Sequence, residues 1–213
     1  ALSDLILAPA TPSNTARVGG VIMPITTSLA KAFGSEPQNG PRKIGSFLMQ
    51  SIYQVNTITS AMFQTSMAGN TLVAALALQS FGIGITWGDW AIAAIVPGII
   101  ALIIMPYFIY KVYPPEIKDA REAQQMIREE LKGLGKMSFQ EWVMLGVFIL
   151  ALVLWATSQF TKLDATTVAF LGISILLATG VLIWDDVKSE KGAWDTLVWM
   201  GTLMGFAGFL SKL

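Results

Sequence analysis

An all-helical integral membrane protein is the fold class this sequence predicts, on three observations. Of its 213 residues, 54% are hydrophobic and only 13% charged, a balance typical of chains whose solvent is a bilayer. Several apolar segments reach or approach the roughly 20 residues that a helix needs to cross a hydrocarbon core. Lys and Arg crowd into alternate connectors, as the positive-inside rule requires of a multi-pass chain.

The same composition narrows the chemistry. Cysteine and histidine are absent, which removes disulfides, thiolate or imidazole metal sites, Cys nucleophiles and His-based triads. Lys plus Arg and Asp plus Glu both number 14, and no basic patch is interleaved with aromatics, so nucleic acid is not an expected partner. No GxSxG, Walker loop or HExxH occurs, and an enzyme is not expected. The acidic pair Asp185 and Asp186 sits in a connector, where solvated charge is the plain reading.

Taken in order, residues 1–8 (ALSDLILA) resemble the tail of a helix that begins before Ala1, and they lack the pattern of a signal peptide. Residues 8–20 (APATPSNTARVGG) set prolines, Ser13, Asn14, Thr15 and Arg17 between apolar segments. Residues 17–33 are apolar but short, with Pro24 and a run of threonines, and 34–43 (GSEPQNGPRK) are dense in turn formers. With 34–43 on the cytoplasmic side, residues 1–33 read as a re-entrant helical hairpin with TPSNT at its tip.

Residues 44–81 are too long for one simple span and carry the polar interruption QTSMAGNT at 64–71, which predicts a discontinuous helix. Four further spans are expected at 91–110, 142–160, 166–184 and 193–210, the last flanked by Trp194 and Trp199 as an aromatic belt. Pro97 and Pro106 bend the first of these. Gly201, Gly205 and Gly208 predict close helix packing. Residues 114–137 mix both signs of charge and read as a surface helix or linker, and the terminal Ser211, Lys212 and Leu213 read as chance rather than a peroxisomal address.

Orientation follows from the cations. Arg42 and Lys43 lie in one connector, six Lys or Arg between Lys111 and Lys136 in a second, and Lys188 and Lys191 in a third; the opposite connectors hold only Lys162. The cation-rich connectors are therefore cytoplasmic, and the expected location is the cytoplasmic (inner) membrane with the bilayer as surroundings.

The tip has two readings. Pro9 and Pro12 exclude regular helix bonding, and Ser13, Asn14 and Thr15 stand where a new helix begins. There they either cap that helix, or, with its backbone N–H groups and dipole, bind an anion such as a carboxylate. Carbonyls freed by the break would favour a small cation such as Na⁺. Gln64, Thr65, Ser66, Gly69, Asn70 and Thr71 repeat the same ingredients in the second break. Arg17 has three readings: snorkelling to the interface, pairing with Asp4 across the hairpin, or steering a substrate carboxylate.

At residues 9–24 (PATPSNTARVGGVIMP), again at 59–77 (TSAMFQTSMAGNTLVAALA) and at WDTLVWMG in the last span, the sequence resembles the divalent anion/sodium symporter family, nearest its citrate/succinate and 2-oxoglutarate/malate antiporters. The resemblance implies an inverted-repeat, elevator-type carrier of di- or tricarboxylates, with residues 1–110 in the transport domain, 111–138 a cytoplasmic amphipathic connector, and 139–213 in a scaffold that forms homodimers. It implies that Asn14 and Thr15 bind the substrate, beside which Arg17, Asn70 and Thr71 stand as candidates from the residues themselves, and that Ser13, Asn14 and the Gly69 backbone bound a sodium site. No resident cofactor is expected beyond possible Na⁺. The family carries two SNT motifs; only one occurs here, so the chain reads as an internal fragment holding half a site. Pro9 replaces a serine found in some sodium-coupled members, which favours exchange over symport. Carriage of another anion such as sulfate, or a structural subunit without a substrate, are the competing readings.

Overall fold

The computed structural model describes residues 1–117 and 135–210, and every regular element among them is helical. Most of the charged stretch at 114–137, and the final three residues, fall outside the described residues. The chain opens with α1 (Leu2–Leu7), which continues into a 3-10 turn (Ala8–Ala10) and then breaks at Thr11, whose backbone is extended. A new helical run starts at α2 (Asn14–Ala16), widens into a π-helical stretch (Arg17–Ile22) and ends as α3 (Met23–Ala32). The widening has a local cause. Pro24 has no N–H to return to the Gly20 carbonyl and its ring crowds that carbonyl, which favours a wider π turn in the preceding residues. The hairpin expected over 1–33 is thus present as two helical arms around a polar turn.

The discontinuous helix is also present. α4 (Gly45–Met62) stops where Phe63 becomes extended, a 3-10 turn follows (Gln64–Ser66), and α5 (Ala68–Phe81) resumes beyond Met67. Gly82 closes α5 in the left-handed conformation at φ 68°, where glycine meets no Cβ clash.

α6 (Trp87–Val112) opens with a reciprocal capping box between Thr86 and Asp89 and packs along α4. The two helices interlock at one point: a Cβ on Gly98 of α6 would lie 2.6 Å from the Met62 side chain, the residue at which α4 ends. α7 (Phe139–Ala156) carries a second capping box, between Ser138 and Glu141. The short α8 (Ser158–Thr161) then turns the chain into α9 (Ala165–Ala178), which packs back on α7. α10 (Trp184–Ser189) and α11 (Lys191–Leu210) complete the described chain.

α6 and α7 are long and apolar enough to cross a membrane. Ile92, Val96, Ile99 and Ile103 of α6 are exposed, a surface that suits hydrocarbon and not water. The other two expected spans differ from expectation. α9 holds 14 residues, about 21 Å at 1.5 Å per residue, because the chain turns at Gly180, where φ is 72°. α11 has the length but also Lys191 and Asp195, and it buries no residue against the rest of the chain. The close packing expected of Gly201 and Gly205 is correspondingly not made among the described residues, where a Cβ at either would meet nothing within 4 Å.

The alternation of connectors is visible in contacts. Glu116 N and Ile117 N donate to the carbonyls of Arg42 and Lys43, and the Arg42 guanidinium lies 4.5 Å over the Tyr113 ring, so two cation-rich connectors share one end of the molecule. At the opposite end Gln159 Nε2 donates to Asp89 Oδ1 at 2.9 Å, which brings the 82–88 and 157–164 connectors together. An aromatic stack sits beneath them: Phe63 on Trp87 at 5.7 Å and Trp87 on Trp155 at 6.2 Å between ring centroids, sealed by Val168.

Candidate functional site

The two breaks meet, and Arg17 joins them. Its side chain is 0% exposed, and its five N–H groups all find acceptors in the protein. Nε donates to Asp4 Oδ1 at 2.9 Å; one terminal nitrogen donates to the carbonyls of Thr11 (3.0 Å) and Ser66 (3.2 Å); the other reaches Asn56 Oδ1, Thr59 Oγ1 and Ser60 Oγ. Asp4, 3% exposed, also accepts the Thr59 hydroxyl. Taking two charges out of water is costly, and such a pair is tolerable only when both ions are surrounded by fitted partners. Of the three roles open to Arg17, the structure realises the pairing with Asp4. The guanidinium neither snorkels outward nor keeps a donor over for a substrate.

Thr11 and Ser66 are the residues where the hairpin and the α4–α5 helix lose regular backbone bonding, so the guanidinium satisfies carbonyls that the breaks expose. A second link runs beside it: Thr65 Oγ1 donates to the Pro9 carbonyl at 2.5 Å and accepts from Trp87 Nε1 at 3.0 Å. The ragged end of α4 is closed from α5. Asn70 Nδ2 donates to the carbonyls of Ser60 (2.7 Å) and Phe63 (2.9 Å), and Ser66 Oγ reaches the same two. Both amide hydrogens of Asn70, expected to face a substrate, are thereby engaged in holding the break. Thr71 is exposed and donates its hydroxyl to the Ala68 carbonyl at 2.8 Å. Gly69 is half-buried, and a Cβ there would come within 3.3 Å of the Met67 methyl.

The tip itself shows capping and an open donor together. Ser13 Oγ accepts from Ala16 N at 3.2 Å, an N-cap. Asn14 Oδ1 accepts from Thr15 N at 2.9 Å and from the Thr15 hydroxyl at 3.4 Å. These bonds use the Asn14 oxygen and leave its amide nitrogen without a protein acceptor among the described residues. Asn14 is half-buried and Thr15 exposed, so the pair presents polar groups at the start of a helical run from Asn14 to Ala32. Backbone N–H groups and the positive end of the helix dipole lie at the same place.

Sequence reasoning named Arg17 and both breaks but missed what surrounds the guanidinium. Asn56, Thr59 and Ser60 fall at i, i+3 and i+4 on α4, one face of one helix. That spacing was the available signal for a buried polar surface.

Helices that fit a bilayer, apolar residues facing outward and polar groups gathered at two internal breaks define a multi-pass membrane protein. The family described as "Sodium:sulfate symporter transmembrane region" matches residues 1–213, and the chain belongs to it. The resemblance drawn from residues 9–24 is thereby borne out. The chain is 54% identical over 212 residues to "Putative malate transporter YflS" of Bacillus subtilis and 47% identical over 210 residues to "Inner membrane protein YbhI" of Escherichia coli, covering 99% of this chain and 44% of the relative each time. It is 44% identical over 211 residues to "Dicarboxylate transporter 1, chloroplastic" of Spinacia oleracea, covering 99% of this chain and 37% of that protein. The chain therefore spans less than half the length of these relatives.

Proposed function

We propose that this chain forms part of a secondary carrier that moves di- or tricarboxylates of the succinate, malate, 2-oxoglutarate or citrate type across the cytoplasmic membrane. The observation that carries the reading is the Asn14 amide, which has no acceptor in the described protein and stands at a helix start that two buried links hold in place. An anionic carboxylate would accept from Asn14 Nδ2, and from the Thr15 hydroxyl once it turns away from its long 3.4 Å bond to Asn14 Oδ1, with the helix dipole favouring its charge. The relatives named as malate and dicarboxylate transporters support the same cargo.

Exchange of one carboxylate for another fits this geometry better than sodium symport. A sodium ion at Ser13, Asn14 and Gly69 would need oxygens that Ser13 and Asn14 already turn toward Ala16 N and Thr15 N. The carbonyls of Thr11 and Ser66, freed by the breaks, accept from Arg17 instead. Arg17 and Asn70 act in this reading as braces, and Asn14 and Thr15 as the groups that touch cargo. In the same reading residues 1–110 move as part of a transport domain against a scaffold built from 139–213, which pairs with a second copy, and the rest of the full-length protein completes the site.

The test uses full-length protein in proteoliposomes. Wild-type protein is expected to take up labelled succinate or malate only when the lumen holds a counter-substrate, with no dependence on a sodium gradient, and Asn14→Ala is expected to abolish uptake. Unchanged uptake by the Asn14→Ala protein across all the carboxylates tried would sink the role given to the tip.

A further inference from the structure

At the end of the molecule where the 82–88 and 157–164 connectors meet lies a cavity of about 440 Å³, lined from one side by Gln64 and Thr71 of the broken helix and from the other by Ser158, Lys162 and Asp164. Three features set it apart from an ordinary surface crevice.

The first is the backbone of Lys162. Its φ of 58° is the only positive φ at a non-glycine residue among the described residues, and it closes α8 where glycine is the default. A side chain in that conformation costs on the order of 1 kcal/mol, a cost that glycine at this position would not carry. The second is charge. Asp164 and Asp89 are the carboxylates at this end, and both are committed elsewhere. Asp164 accepts from Thr166 N, Thr167 N and the Thr167 hydroxyl at the start of α9, and Asp89 accepts from Thr86 N and Gln159 Nε2 at the start of α6. Each sits on the positive end of a helix dipole. The Lys162 ammonium has no ion-pair partner among the described residues. The third is Ser158, 9% exposed, whose Oγ is buried with no hydrogen-bond partner, a state that buried hydroxyls rarely keep without a ligand or water.

An ammonium without a counter-ion and an orphaned hydroxyl on the lining of one cavity recognise a small carboxylate. We propose that this cavity is an outer docking site for the carrier's cargo, in which Lys162 Nζ and Ser158 Oγ hold one carboxylate before the anion passes Gln64 and Thr71 toward the tip. The proposal rests on the carrier reading above, and on the cation-poor end of the chain being the external one.

Lys162→Gly tests it directly, because glycine keeps the left-handed backbone while the side chain and its ammonium are lost. In full-length protein in oriented proteoliposomes, Lys162→Gly is expected to raise KM for external succinate about tenfold, the size of one lost charge-assisted hydrogen bond, with kcat and the KM for internal succinate unchanged. Lys162→Arg restores the external KM, Ser158→Ala raises it in the same direction, and the difference between wild type and Lys162→Gly shrinks as ionic strength rises. An unchanged external KM, or an equal rise on both sides, overturns the docking site while leaving the carrier reading intact. A wild-type protein that exchanges no carboxylate overturns the carrier reading, and this proposal with it.

Discussion

Arg17 Nε and Asp4 Oδ1 lie 2.9 Å apart, with the arginine side chain fully buried and the aspartate nearly so. The pair crosses the hairpin from α1 to the helical run that starts at Asn14. Its stabilising value depends on both ions being present, since either one alone would be a buried charge without its counter-ion.

Asp4→Ala is therefore expected to destabilise the detergent-solubilised protein by about 3–5 kcal/mol. The double variant Asp4→Ala with Arg17→Met should lose less than the single one, because it leaves no unpaired charge. Thermal unfolding of the two variants side by side makes the comparison. A double variant no more stable than Asp4→Ala would show that the cost lies in packing and not in charge.

Ser13 and Asn14 are neighbours with separable roles. Ser13→Ala removes an N-cap and is expected to lower stability by about 1 kcal/mol, with transport reduced only in proportion to folded protein. Asn14→Ala should leave the melting temperature nearly unchanged while uptake is lost. Melting curves and uptake measured on the same preparations separate the two; parallel losses in both variants would make the tip a structural cap.

Trp87→Phe keeps an aromatic ring between Phe63 and Trp155 but removes the Nε1–H that Thr65 accepts. The expected cost is about 1 kcal/mol, one buried hydrogen bond. Trp155→Ala empties a buried ring position and is expected to cost about 3–5 kcal/mol. Equal costs for the two would mean that the hydrogen bond to the break, and not the stack, holds this region.

The Asp164 carboxyl is held below its ordinary value of 3.8, chiefly by the Thr167 hydroxyl and then by the Thr167 backbone N–H, against a smaller opposing effect of desolvation. A depressed folded-state value contributes stability that is present above the unfolded-state value and is lost as pH falls through the folded one. Melting temperature is accordingly expected to be insensitive to this group at neutral pH and to fall below about pH 4. Asp164→Asn should flatten that acid limb. Because the group is exposed, the effect is small, and a limb unchanged in Asp164→Asn would assign it to other carboxylates.

Much of this architecture was legible in sequence because it rests on local rules. The run QTSMAGNT announced the break between α4 and α5, and Pro9, Pro12 and the SNT residues announced the tip, since prolines and clustered polar groups in apolar segments leave the backbone no regular alternative. The two longest spans were legible from hydropathy alone, whereas the shortness of α9 was set by the turn at Gly180, which an apolar window does not register. What surrounds Arg17 was harder. Asn56, Thr59 and Ser60 each look like a helical residue bonding its own backbone, and only the tertiary approach of the hairpin turns their shared face into a ligand shell for a guanidinium. The commitments of Asn70 and Lys162 likewise depend on non-local neighbours: the end of α4 for one, and the meeting of two connectors for the other.

The pairing of Arg17 with Asp4 also bears on how such a body would respond to voltage. A single buried charge carried through a membrane potential gains or loses about 2.3 kcal/mol per 100 mV, but a neutral pair gains nothing. A moving element with this core would feel no electrical force from it, and the voltage dependence of a transport cycle would then reflect the charge of the cargo rather than that of the protein beneath the tip.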